Sequence, residues 1–130
     1  MAHFVDTNIA IYAMLPGLKS ERALQCLQRS VISVQVLNEF ANVALRKLRL
    51  PQPVLALKIS EIRGEVASVV PVTEEVHDFA LEINSRYQLS FYDSALLAAA
   101  LLADCDTFYS EDMQHGLVIE RDLRIINPFA

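Results

Sequence analysis

Four acids, Asp6, Glu39, Asp93 and Asp112, stand at places where their chemistry could be used together. Asp6 closes a short apolar run in Phe4-Val5-Asp6-Thr7-Asn8, and Asp112 closes another in Phe108-Tyr109-Ser110-Glu111-Asp112. Asp93 belongs to Ser90-Phe91-Tyr92-Asp93, directly before the longest apolar run, Ala95 to Ala103. Glu39 falls at the edge of an apolar helical stripe, beside Val43 and on the side of Arg46. Carboxylates that converge without cysteine or histidine suit a hard cation such as Mg²⁺ or Mn²⁺. One or two such ions can clamp an in-line phosphoryl displacement. Each acid also has a plainer role open to it. Asp6 can cap a helix or form an Asx-turn, and Asp112 can sit in a turn. Ser90 and Asp93 match a capping box, and Glu39 can be an ordinary boundary residue. No local spacing joins the four, so only the fold can bring them together.

The segments that would position them alternate in period. Strands are expected at His3 to Val5, Val31 to Val34, Val66 to Val72, Thr107 to Ser110 and Leu123 to Ile126. Between them, Ile9 to Leu15 continues apolar, and Lys19 to Arg29 carries Ala23, Leu24 and Leu27 on one helical face. Gln35 to Leu48 has a broad apolar stripe, and Val54 to Ile62 resumes a helical period that ends near Gly64. Thr73 reads as the N-cap of a helix to about Arg86, and Ser90 opens another through Ala103. Short strands alternating with helices predict an α/β fold with a mainly parallel sheet of four to five strands. Ligands of such sheets bind outside the carboxyl ends of the strands, where Asp6, Asp93 and Asp112 are expected.

Composition bounds the alternatives. At 53% hydrophobic and 21% charged residues, the 130-residue chain is no disordered segment. No linker or repeat divides it, so one domain over 1–130 is expected. The start, Met1-Ala2-His3-Phe4-Val5-Asp6, lacks the basic region of a signal peptide. The run Ala95 to Ala103 is far shorter than the ~20 residues that span a membrane. Cys26 and Cys105 lack any CxxC spacing and read as buried thiols of a reducing, cytoplasmic compartment. The formal charge of −5 speaks against a polyanionic partner. Setting the four acids aside, however, leaves 12 of the 16 acids against 11 bases. The rest of the chain is therefore close to neutral. Arg46, Lys47 and Arg49 form the one tight basic run, readable as a solvated helix end or as a phosphate contact. His77 and His115 read as incidental. Phe91 and Tyr92 are the aromatics nearest Asp93 that could stack on a base, although most aromatics should be core.

Four segments together carry a family resemblance. They are Phe4-Val5-Asp6-Thr7-Asn8-Ile9, Ser33-Val34-Gln35-Val36-Leu37-Asn38-Glu39-Phe40, Leu89-Ser90-Phe91-Tyr92-Asp93-Ser94-Ala95-Leu96 and Tyr109-Ser110-Glu111-Asp112-Met113-Gln114. In this order the chain resembles a PIN domain, most closely a VapC-like toxin ribonuclease of a toxin–antitoxin pair. The resemblance implies a three-layer α/β/α fold and metal-dependent endonuclease activity on RNA. It implies that Asp6, Glu39, Asp93 and Asp112 are the catalytic acids, with Asp6, Asp93 and Asp112 holding one or two Mg²⁺ or Mn²⁺ ions. Thr7 and Ser110 match supporting hydroxyl positions, with Asn8 and Glu111 as further supporting groups. A small antitoxin partner and a homodimer are implied as well. Two rivals differ in class. A phosphoaspartyl enzyme of the dehalogenase-like kind needs a second acid where Asn8 stands. A catalytically silent RNA-binding or protein-interaction domain would bind without cutting.

Overall fold

Short β-branched and aromatic segments alternate with longer helical ones in the computed structural model, which describes residues 2–130. The order is β1 (Ala2–Val5), α1 (Thr7–Met14), α2 (Ser20–Leu27), β2 (Val31–Ser33), α3 (Val34–Arg46) and α4 (Gln52–Glu65). It continues with β3 (Ser68–Val70), α5 (Glu74–Tyr87), α6 (Phe91–Leu102), β4 (Cys105–Tyr109), β5 (Val118–Ile119) and β6 (Leu123–Ile126). The strands form one sheet in the order β3-β2-β1-β4-β6-β5. Every pairing is parallel except β5 with β6.

This order fixes where the helices lie. The chain steps from β1 outward to β2 and β3, then crosses back to place β4 on the other side of β1. Parallel crossovers are right-handed, so reversing direction moves the helices to the opposite face. Accordingly α1 packs on α2, α3 and α4, while α5 packs on α6. The result is the expected three-layer α/β/α arrangement. Phe4 and Phe108 stack at 5.3 Å where β1 meets β4, and both are fully buried. Helix α6 buries Leu96, Leu97, Ala98, Ala99 and Ala100, as its nearly unbroken apolar sequence requires. The two cysteines are free and buried. Among the described residues, no helix is long and apolar enough to cross a membrane.

The observed elements depart from the sequence reading in instructive places. The sheet has six strands rather than four to five, the addition being β5. Its two residues are too few to show a period. The turn that pairs them with β6 uses Glu120 and Arg121 at φ 51° and 67°, with Asp122 N–H donating to Ile119 O at 3.1 Å. Two successive left-handed residues make the favoured hairpin turn, but Glu-Arg lacks the Asn-Gly signature that would announce it. Tyr87 supports this turn, its hydroxyl accepting from Glu120 N–H at 2.8 Å. The third strand is shorter than Val66 to Val72, and Val34 opens α3 instead of closing β2. Helix α4 begins at Gln52, because Pro53 sits in its first turn, where a missing N–H costs nothing. It ends at Glu65, beside Gly64 as expected.

Thr73 is the N-cap of α5, its Oγ1 accepting from Val76 N–H at 3.1 Å, with Glu74 and Glu75 in the first turn. Thr73→Ala should therefore lower the unfolding free energy by about 1 kcal/mol. Urea unfolding should show a lower midpoint at unchanged slope; an unmoved midpoint would remove the cap from the stability of this helix.

Candidate active site

The direction of the chain reverses beside β1, so the crevice between the carboxyl ends of β1 and β4 is where such a sheet receives ligands. Asp6 stands at this point. Its N–H donates to Tyr109 O at 2.9 Å, continuing the β1–β4 ladder by one bond before the chain turns into α1. The side chain then caps α1, Oδ1 accepting from Thr7 N–H at 2.7 Å. Oδ2 accepts from Ser110 Oγ at 2.8 Å and from the Asn8 amide at 3.3 Å. Capping and site geometry thus coexist in one carboxylate.

The loop after β4 is gathered around Ser110. Its N–H donates to Ile126 O at 3.0 Å, and its Oγ accepts from the N–H groups of Asp112 and Met113, both at 3.2 Å. Asp112 is thereby turned toward Asp6, and the Asn8 amide spans the two, reaching Asp112 Oδ2 at 3.0 Å. Glu39 reaches the crevice from α3. Thr7 Oγ1 donates to its Oε1 at 2.6 Å and Gln35 Nε2 to its Oε2 at 3.0 Å. Asp93 enters from the first turn of α6, where Ser90 is the N-cap and its Oγ accepts from Asp93 N–H at 3.2 Å. All four acids line one open cleft of ≈ 690 Å³, mouth included, with Thr7, Asn8, Ile11, Asn42 and Val43.

No Lys, Arg or His is among these lining residues, so the negative charges act on one another. Burial pushes the Asp6 carboxyl from 3.8 up to about 6; hydrogen bonds from Ser110 and Thr7 oppose the rise, and Asp93 and Glu39 add to it. Asp93 is also raised, chiefly by burial, against the pull of Ser90 and with Glu39 and Asp112 adding repulsion. The donors are all oxygen, which fits Mg²⁺ or Mn²⁺ rather than a softer ion. Among the described residues, however, no three acidic, His or Cys side chains form a ready-made metal cage. The Asn8 amide between Asp6 and Asp112 helps explain this openness. Mg²⁺ keeps several of its waters and usually takes only one or two carboxylates directly, so an open acidic cleft remains a fitting host.

The supporting residues separate into two groups. Thr7, Asn8 and Ser110 each hold a site carboxylate. The Glu111 side chain engages elsewhere: it forms an ion pair with Lys19 and accepts from Tyr12 Oη at 2.5 Å. These two partners draw its carboxyl below the usual range. Only its backbone N–H turns to the cleft wall, donating to Asn8 Oδ1 at 3.3 Å. Arg46, Lys47 and Arg49 are exposed at the end of α3 and do not line the cleft. Arg46 follows Glu39 by two helical turns, roughly 10 Å along the axis at about 1.5 Å per residue. Gln35 and Asn42 were not singled out from sequence. They sit one turn before and after Glu39, so helical spacing could have found them. Nothing local in the sequence announces the Lys19 and Tyr12 contacts with Glu111.

The PIN domain family matches residues 3–117. The chain belongs to the PIN domain family. Solved structures share this PIN fold across most of its length. A toxin–antitoxin complex from Klebsiella pneumoniae is 17% identical at TM-score 0.73, covering 98% of each chain. FitAcB from Neisseria gonorrhoeae is 19% identical at TM-score 0.68, again covering 98% of each chain. The sarcin-ricin loop cleaving toxin VapC20 from Mycobacterium tuberculosis is 19% identical at TM-score 0.66, covering 82% of this chain and 87% of that one. No curated protein matches by sequence search. The neighbours place the fold of this PIN domain among those of VapC toxins.

The raised Asp6 carboxyl has a consequence for stability. Its proton is released near 3.8 in the unfolded chain and near 6 in the folded one, so stability falls as pH rises through that window. The burial cost is fully present above it. Asp6→Asn cannot ionise and should raise the melting temperature of the metal-free protein at about pH 7.5, the gain shrinking below about pH 5. Thermal unfolding at the two pH values checks this, and a gain independent of pH would refute the electrostatic cause.

Proposed function

We propose that this PIN domain is a Mg²⁺- or Mn²⁺-dependent endoribonuclease, the toxin of a VapC-like pair with a small antitoxin. The observation that carries the reading is the convergence of Asp6, Glu39, Asp93 and Asp112 on one cleft with no cation among its lining residues. Family membership supports nuclease chemistry, and the structural neighbours that are toxin–antitoxin complexes support a protein partner. Exposed Leu18, Leu45, Leu48 and Leu57 offer apolar surface for an antitoxin or for a second copy in a homodimer.

The roles follow from the geometry. Asp6, Asp93 and Asp112 would hold one or two ions, Asp6 being the anchor because three donors fix its carboxylate. A bound divalent ion supplies a water of lowered pKa and neutralises charge on the leaving oxygen. Thr7 and Gln35 fix both oxygens of Glu39, which retains lone pairs to accept from an attacking water and orient it. Ser110 ties Asp6 to the Asp112 loop, and Asn8 spaces the two carboxylates. Arg46, with Lys47 and Arg49 beside it, is exposed at the end of the helix that carries Glu39, where it could meet a phosphate backbone leaving the cleft.

Wild type and Asp93→Asn, each with Mn²⁺ or with EDTA, should be compared on single-stranded RNA. Wild type should cut only with metal, and the variant should lose at least about a hundred-fold in rate. Cleavage that survives EDTA, or equal cleavage by the two proteins, would overturn the assignment. RNA binding without cleavage would point instead to a silent binding domain.

A further inference from the structure

A second, narrower cavity adjoins the acidic cleft and is not explained by phosphodiester hydrolysis alone. It measures ≈ 400 Å³ only when its mouth, open to solvent, is counted. Its floor is apolar, from Val72, Val76, Ala95 and Ala99. Its rim is aromatic: Phe91 lies edge-on to Tyr92 at 5.8 Å and packs against His77 at 5.4 Å. Tyr92 is 63% exposed despite its contact with Phe91, an unusual place for so large a ring.

Besides His77 and Tyr92, the polar residues Ser33 and Gln35 line this slot. Ser33 is 1% exposed, and its hydroxyl has no hydrogen-bond partner. It occupies the N-cap position of α3, where serine normally bonds to the helix, yet makes no such bond. A buried hydroxyl left unpaired is uncommon and calls for a partner. Gln35 is the other, and it donates to Glu39 Oε2 at 3.0 Å, so the slot and the cleft share a wall. They meet again at Tyr92 and Asp93, consecutive residues of α6 that line the slot and the cleft respectively.

We infer that this slot receives one unpaired nucleobase of the RNA strand, next to the phosphate cut in the acidic cleft. The inference rests on the endoribonuclease reading and specifies how that site selects its substrate. A base flanking the scissile phosphate stacks on Tyr92 and Phe91, as single-stranded nucleic acids do on aromatic platforms. Its polar edge enters between Gln35 and Ser33, giving the Ser33 hydroxyl a partner. The apolar floor excludes the charged backbone, so the strand must run from cleft to slot in one direction. Only a base outside a duplex can enter, which makes the preferred substrate a loop or a single-stranded segment.

The test uses two measurements. First, methyl NMR of Asp93→Asn protein follows Val72, Val76, Ala95 and Ala99 during titration with single-stranded tetranucleotides of each uniform base. Shifts confined to these methyls, differing among the four bases and weakened in Tyr92→Leu but kept in Tyr92→Phe, are expected. Second, cut sites are mapped on a mixed RNA pool for wild type, Tyr92→Leu and Ser33→Ala. Tyr92→Leu should raise KM about ten-fold with kcat little changed, and Ser33→Ala should relax the nucleotide preference beside the cut. An absence of methyl shifts would overturn the slot even if RNA is cut. An unchanged cleavage profile would do the same. If no RNA is cut at all, the hydrolytic reading fails, and the NMR arm still decides whether a base binds here. Perturbation of the slot methyls by a protein partner but by no oligonucleotide would also overturn the inference.

Discussion

The arrangement depends on one buried carboxylate held at the point where the sheet reverses direction. Asp6 is 6% exposed, and its neighbours supply hydrogen bonds but no counter-charge. Burying an acid without a cation is costly, and the fold limits that cost with donors from three places: the Thr7 backbone, the Asn8 amide and the Ser110 hydroxyl. Those donors also tie the start of α1 to the loop after β4. The same contacts that make Asp6 tolerable therefore draw Asp112 toward it. Stability and site geometry are coupled through a single side chain.

This coupling bears on how so acidic a chain could serve the function proposed for it. The excess negative charge is concentrated where opposite charge can be imported, and the remainder of the molecule is nearly neutral. Under the proposed ribonuclease reading, affinity for RNA depends on what occupies the cleft more than on a broad basic face. In that reading the exposed cations at the end of α3 would add local steering, because phosphate contacts carry no sequence information.

Much of this was legible in the sequence because the relevant signals are local. The apolar segments ending at Asp6 and Asp112 announced strands β1 and β4, and Thr73 and Ser90 announced the caps of α5 and α6. Segments set by tertiary context were harder to read. Strand β5 exists because β6 offers it an edge, and its turn uses two residue types that seldom adopt left-handed geometry. The fold class put Asp6, Asp93 and Asp112 at the ligand edge and the family resemblance added Glu39, but the structure alone shows what holds them. Ser110 joins Asp6 across most of the chain length, and Thr7 reaches from α1 to Glu39 on the neighbouring helix α3. Glu111 shows the opposite outcome. Its sequence position suggested a place beside Asp112, yet Lys19 and Tyr12 draw its side chain away.

The two ends of the sheet have a consequence for assembly. On one side the outermost strand is β3, three residues long and followed by Pro71; on the other it is β5, only two residues long. A long, flat edge strand exposes unpaired backbone groups that can recruit another chain, whereas edges this short offer almost no template. Continuation of the sheet from one copy into the next is therefore disfavoured at both ends. Helix faces and loops are left as the surfaces through which this protein can meet another.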